Sequence, residues 1–249
     1  MRILTGPKVT LLALQRFEKP EHIEWETDAP SPGEALVEFA GRTCYQSYHN
    51  PGGRTNRQYI EHLLEVGHGS VLEHYVATFL FEGVSRSLTH ELVRHRAGFA
   101  YSQLSQRYVD ESQAAFVEPA CIRDHPEAHA VWLSAVEQSQ QAYVRLVELL
   151  AARFAEVEDR TLRRKMARQA ARSVLPNATE TKIVVTANAR AWRHFIEMRA
   201  APEADVEIRA LAVEVLRQLQ RAAPNIFADY TIRTLPDGTE GAETKYRKV

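Results

Sequence analysis

Cysteine is scarce in this chain of 249 residues: Cys44 and Cys121 stand far apart and form no CxxC pair. That excludes a disulfide scaffold and a cysteine-rich zinc site, and it suits a reducing cytoplasm. No charge of one sign dominates, because 31 Lys+Arg against 32 Asp+Glu leave a net −1. A global basic field for nucleic acid is therefore missing, and any anion site has to be a local cluster. No run approaches the ~20 apolar residues of a membrane helix. The apolar run Val9–Leu14 is short, is followed by Arg16 and Glu18, and precedes no small-residue cleavage pattern. Repeats and low-complexity linkers are lacking too. With 45% hydrophobic and 25% charged residues, the chain reads as a soluble, cytoplasmic protein of one domain spanning 1–249.

Two familiar motifs are also incomplete. Gly67-His68-Gly69 opens like a dinucleotide fingerprint, but Leu72 stands where its third glycine belongs, and a strand-like segment follows. His90 and His95 resemble a zinc-protease pair with one residue too many. Positions i and i+4 lie about 40° apart around a helix, whereas i and i+5 lie about 140° apart. Both imidazoles cannot easily reach one ion, so no metal site is expected. Neither cysteine has a base nearby in sequence, and both are read as small buried thiols.

Hydrophobic periodicity and turn signals predict a mixture of strands and helices without a regular βαβ rhythm, hence an α+β fold. Val9–Leu14, Val76–Phe81 and Lys182–Thr186 read as strands. Thr27–Glu34 reads as a loop, Ala35–Tyr48 is ambiguous, and Asn50–Gly53 is a turn before a helix capped by Thr55 and ended at Gly67. Ser85–Arg96, Leu162–Val174, Asn188–Arg199 and Asp205–Ala222 read as helices. A longer helix runs from Pro126 to about Val157, with Val136, Tyr143, Leu146, Val147, Leu150 and Phe154 on its apolar face. A span of ~30 residues is ~45 Å long, enough to pack against more than its own subunit. From about residue 234 the tail is polar and is read as mobile.

Arg94-His95-Arg96-Ala97-Gly98-Phe99-Ala100-Tyr101-Ser102-Gln103-Leu104-Ser105-Gln106-Arg107 concentrates arginines with aromatics, hydroxyls and amides. Guanidinium groups bind phosphate or carboxylate through paired donors, while Ser and Gln offer neutral hydrogen bonds to a heterocycle. That combination suits a nucleotide; the plain alternative is a solvated basic helix end followed by a polar loop. Arg164, Arg168 and Arg172 recur every four residues, with a solvent-facing stripe as the plain alternative for the first two. Asn188, Arg190, His194 and Arg199 share one short helix whose core side is Trp192, Phe195 and Ile196.

On these residues the chain resembles the flavin-dependent thymidylate synthases. Their hallmark is Arg-His-Arg followed by Ser-x-Arg, present here as Arg94-His95-Arg96 and Ser105-Gln106-Arg107. Eight residues separate the halves, one more than the family pattern, so the extra residue falls around Ala97–Ala100. His68-Gly69-Ser70-Val71-Leu72-Glu73-His74, Ala171-Arg172-Ser173-Val174-Leu175-Pro176 and the run from Asn188-Ala189-Arg190 through His194 to Arg199 resemble three further family blocks, in order.

The resemblance implies reductive methylation of dUMP to dTMP, with methylenetetrahydrofolate as one-carbon donor, tetrahydrofolate as the released folate, and FAD and NADPH as reductants. It implies that Ser70, Arg94, His95, Arg96, Gln103, Asn188, Arg190 and His194 contact FAD. Glu91, Leu92, Val93, Arg94, Gln103, Leu104, Ser105, Gln106, Arg107 and Arg172 would line the dUMP pocket. Arg199 would sit near the pyrimidine, favour ionisation at N3, and be the catalytic residue. Ser105 lacks a neighbouring base and is read as a binding residue. The family fold is α+β with a mixed sheet and long helices, in a homotetramer with sites at subunit interfaces. A non-catalytic nucleotide- or RNA-binding member of the same fold is the alternative.

Overall fold

A computed structural model describes residues 1–249. In chain order the elements are β1 (Arg2–Leu4), β2 (Lys8–Leu14), α1 (Pro32–Tyr45), α2 (Asn56–Glu65), α3 (Gly69–Leu72), β3 (Val76–Ser85), α4 (Arg86–Leu92), β4 (Phe99–Gln103) and β5 (Ala115–Val117). There follow α5 (Ala120–Arg123), α6 (Pro126–Arg153), α7 (Arg160–Ala171), β6 (Glu180–Asn188), α8 (Ala189–Arg199), α9 (Val206–Ala222), β7 (Tyr230–Thr234) and β8 (Glu240–Thr244). The fold is α+β, as expected. A four-stranded sheet has the order β2-β3-β6-β4, β1 pairs parallel with β5, and β7 pairs antiparallel with β8.

Most of the longer helices begin where the sequence supplies a cap. Ser31, Thr55, Asp159, Asn188 and Asp205 each accept a first-turn N–H of α1, α2, α7, α8 and α9, satisfying donors that have no partner within the helix. Thr55 and Gln58 complete a reciprocal capping box. No helix is long and apolar enough to cross a membrane.

The chain divides into two compact units, and β3, β4 and β6 each contribute residues to both. One unit comprises Met1–Lys8, Phe81–Leu92 and Ser102–Ile183; the other comprises Val9–Leu80, Val93–Tyr101 and Val184–Val249. In the second, α8 and α9 bury Trp192, Phe195, Ile196, Ile208, Leu211, Val215 and Leu219. Trp192 meets Phe79 and Phe99 edge-on, with centroids 5.2 Å from each. Arg193, on the same helix, is buried and donates to both carboxylate oxygens of Asp229 at 2.7 and 2.8 Å and to Ile226 O at 2.8 Å. Asp229 also receives the Thr244 hydroxyl.

That network extends into the polar C-terminal segment. Residues 230–244 form a hairpin, Ala242 and Leu235 are buried, and Arg209 donates to Asp237 and Thr239. The tail's polar residues read as solvated in sequence, but several are partners of buried arginines. Three smaller corrections have local causes. Helix α1 already starts at Pro32, because Ser31 caps it and proline suits a first helical turn. Helix α4 ends at Leu92, and the aromatics after Gly98 pair as β4. Cys44 and Cys121 are exposed, not buried.

In the first unit, α6 runs 28 residues, starting at Pro126 behind the His125 cap and ending at Arg153. Of its expected apolar face only Val136 and Tyr143 are buried within the chain. Val131 and Leu149 on the same helix remain 72% and 49% exposed. Trp132 and Val136 pack on Ala114 and Phe116.

Candidate active site

In the second unit, strand β6 delivers Asn188 to the start of α8. Its side-chain oxygen accepts the Ala191 N–H at 2.8 Å, and its own N–H points to Gly98 O at 3.4 Å. Gly98 has φ +75°, and a Cβ there would lie 2.9 Å from both Asn188 Nδ2 and Ala191 Cβ. The turn closed by Phe99 N–H on Arg96 O, with glycine in the left-handed region, accommodates the long loop of the arginine-rich motif before β4 begins.

Glu73, Ala97, Gly98, Asn188, Arg190, Ala191 and His194 line a cavity of about 240 Å³. Arg190 donates to Glu73 at 2.8 Å, a half-exposed pair. Gly69 leaves room for Arg190, since a Cβ at that glycine would sit 3.0 Å from Arg190 Nε. Ser70, Arg94 and Arg96 are exposed nearby in sequence.

His95 is half-buried among rings. Its centroid lies 5.4 Å from Phe195, 5.7 Å from His194 and 6.0 Å from Phe99. Arg199, the last residue of α8, donates its Nε–H to His95 Nε2 at 2.9 Å. Burial first, then the charges of Arg199, His194 and Arg94, push the His95 pKa down to about 4.

In the first unit, Gln103 Nε2 lies 3.1 Å from Thr89 Oγ1 and 3.2 Å from Thr181 Oγ1. Leu104 N–H donates to Lys182 O at 2.8 Å. The carbonyl of Ser105 then accepts from Tyr108 and Val109, and its hydroxyl accepts only weakly, from Arg107 N–H at 3.4 Å. Gln106 Nε2 and Arg107 Nε are buried and make no hydrogen bond within the chain. Arg172 sits in a 3₁₀ turn, Arg172–Val174, at the end of α7.

Several expected positions behave differently. Leu92 is fully buried, so only its backbone can face a ligand, while Val93 is exposed. Arg168 is not a free basic stripe residue: it donates to Tyr108 O and Asp110. Two residues escaped the sequence reading. Arg86, opening α4, has its pKa lowered by burial and by the charge of Arg172. The charge of Glu111 opposes that shift, and Arg86 lies outside any arginine-rich run. Glu111 is buried, and burial lifts its pKa to about 7 although Arg86 opposes the shift. No sequence motif marks it.

A guanidinium, an amide and an imidazole around the second unit's cavity, with two glycines leaving backbone room, fit one end of a dinucleotide such as FAD. The fold is α+β, and its second unit carries a cavity lined by cationic and polar side chains.

Comparisons narrow the class. The family described as thymidylate synthase complementing protein matches residues 27–225. A flavin-dependent thymidylate synthase of Mycobacteroides abscessus is 58% identical over 237 residues, covering 94% of each chain. That of Mycobacterium marinum is 54% identical over 241 residues, covering 96% of each. Among solved structures, a UMP/dUMP methylase PolB from Streptomyces cacaoi, bound with 5-Br dUMP, superposes with a TM-score of 0.69. It is 22% identical, over 92% of this chain and 96% of that one. The chain belongs to the flavin-dependent thymidylate synthases.

Proposed function

We propose that this protein, working as one domain and as a homotetramer in the cytoplasm, converts dUMP to dTMP. Methylenetetrahydrofolate would give the one-carbon unit and leave as tetrahydrofolate, with NADPH as the source of electrons. Bound FAD would supply the hydride that completes the methyl group. The observation that carries this reading is the packing of Ala97 and Gly98, directly after Arg94-His95-Arg96, on the first turn of α8, where they line one cavity with Asn188, Arg190 and His194. The apolar residues of α6 left exposed within one chain support assembly with further copies.

Ser70, Arg94, His95, Arg96, Gln103, Asn188, Arg190 and His194 would hold the flavin, with Arg190 as counter-charge for its phosphates. Arg86, Gln106, Arg107 and Arg172 suit the nucleotide phosphate, with Glu91, Leu92, Val93, Leu104 and Ser105 closing the pocket. Carbon 5 of uracil is a poor nucleophile until negative charge develops across N3, C4 and O4. Arg199 would stabilise that charge, because a fixed cation acts strongly where water is excluded. Its guanidinium stays charged at any working pH.

Tritium release from dUMP labelled at C5, with methylenetetrahydrofolate and NADPH, is the test. Release that requires added FAD supports the reading. No release from folded, flavin-loaded protein rejects it.

A further inference from the structure

We propose that His95 is the positioning residue for Arg199: its imidazole accepts the Arg199 Nε–H and sets the plane in which the guanidinium meets the substrate. The inference rests on the functional reading above, in which Arg199 stands beside the pyrimidine.

The geometry has three parts. Arg199 closes α8, and its Nε–H points at His95 Nε2 over 2.9 Å. An arginine Nε carries a hydrogen at every working pH, so Nε2 must present its lone pair, and the histidine proton resides on Nδ1. The ring itself cannot readily turn away. Phe195 meets it at 81°, His194 at 63° and Phe99 at 54°. The backbone is fixed too, since the Tyr101 hydroxyl donates to His95 O.

The acceptor role also requires a neutral ring. The groups facing His95 are Arg94 on its own segment, His194 and Arg199 from α8, and the neutral Tyr101 hydroxyl from β4. None is an acid that would stabilise an imidazolium, and burial with these charges holds its pKa near 4. His95 is thus an acceptor throughout the neutral range. A guanidinium tied at Nε loses the freedom of its last side-chain torsion. Its charge is unchanged, but the direction of its donors is set before substrate arrives, which is where an electrostatic stabiliser gains its effect.

The test compares His95→Leu, which removes the acceptor, with His95→Gln, which can restore one. Both are loaded with FAD and checked for flavin absorbance and thermal midpoint. His95→Leu should lower kcat roughly 10- to 100-fold with a much smaller change in the KM for dUMP, the scale expected for a misdirected catalytic group. His95→Gln should recover a substantial part.

A second readout needs no turnover: N3 ionisation of bound 5-fluoro-dUMP, followed by fluorine NMR against pH. In the unsubstituted protein and His95→Gln the ionisation should fall below that of free nucleotide; in His95→Leu it should return towards it. Equal N3 ionisation in His95→Leu and the unsubstituted protein overturns the proposal alone. So does a kcat loss that simply tracks flavin loss, or one that glutamine does not recover. An unshifted N3 in the unsubstituted protein overturns the role of Arg199 itself.

Discussion

Gly98 and Asn188 are packed so closely that neither can change alone: the backbone N–H of Asn188 points to Gly98 O, and a methyl group on Gly98 would stand 2.9 Å from Asn188 Nδ2. This contact ties the motif loop to the helix that carries Arg190, His194 and Arg199. Gly98→Ala imposes a left-handed conformation costing roughly 1–2 kcal/mol on a residue with a Cβ, besides the clash. The expected result is flavin affinity at least ~10-fold weaker, since about 1.4 kcal/mol corresponds to that factor. Flavin titration by fluorescence checks it. Unchanged affinity removes the loop from the cofactor site.

Arg199→Ala should lower turnover by at least ~100-fold, the scale of one lost electrostatic stabiliser. The helix should persist, because Arg199 is its terminal residue. Tritium release beside far-UV circular dichroism separates the two effects. Near-normal turnover removes the catalytic assignment.

Ser105→Ala should keep weakened but measurable activity. The only polar contact its hydroxyl makes is a long one from Arg107 N–H, and no base adjoins it. Loss of all chemistry with dUMP affinity intact would make Ser105 a nucleophile.

Glu111 gives a pH dependence. Its folded pKa is raised from 4.5 to about 7, chiefly by burial. A raised carboxylic acid binds its proton more tightly in the folded state, so its contribution is fully present below about 4.5 and is lost as pH rises through about 7. Glu111→Gln, which stays neutral, should raise the thermal midpoint by roughly 2–4 °C at pH 8, and much less at pH 5. Calorimetry at both values decides; equal shifts at both contradict it.

Asp229→Asn should destabilise by about 3–5 kcal/mol, because it leaves the buried Arg193 guanidinium without its counter-charge. Arg193 and Asp229 are 1% and 4% exposed. Urea unfolding measures it, and a loss near zero would mean that water reaches the pair.

Local rules carried much of the fold. Thr55, Asn188, Asp205 and Pro126 announce helix starts through caps and ring geometry that depend on a few neighbouring residues, and the structure begins helices there. The periodic apolar residues of α9 and the β-branched run of β3 were legible for the same reason. Motif order was legible too: four blocks pointed to the family that the relatives bear out. What the sequence hid were long-range pairings. Strand β4 looked like loop, because Phe99, Tyr101 and Gln103 alternate only over five residues between a glycine and polar neighbours. The strand β8, beyond Thr234, looked like part of a polar tail, because Asp237 and Thr239 gain their meaning from Arg209 far away in the chain.

The sequence by itself determined where capped helices such as α2, α8 and α9 start, which apolar runs pair as β2, β3 and β6, and which family motifs the chain carries. Those signals lie within a turn or a short block, where spacing alone sets geometry. Only the tertiary structure decided that His95 accepts from Arg199, that the charge of Arg172 acts on Arg86, and that Glu111 is buried. Such relationships join residues with no fixed spacing, and their strength comes from exclusion of water, which exists only once the chain has folded.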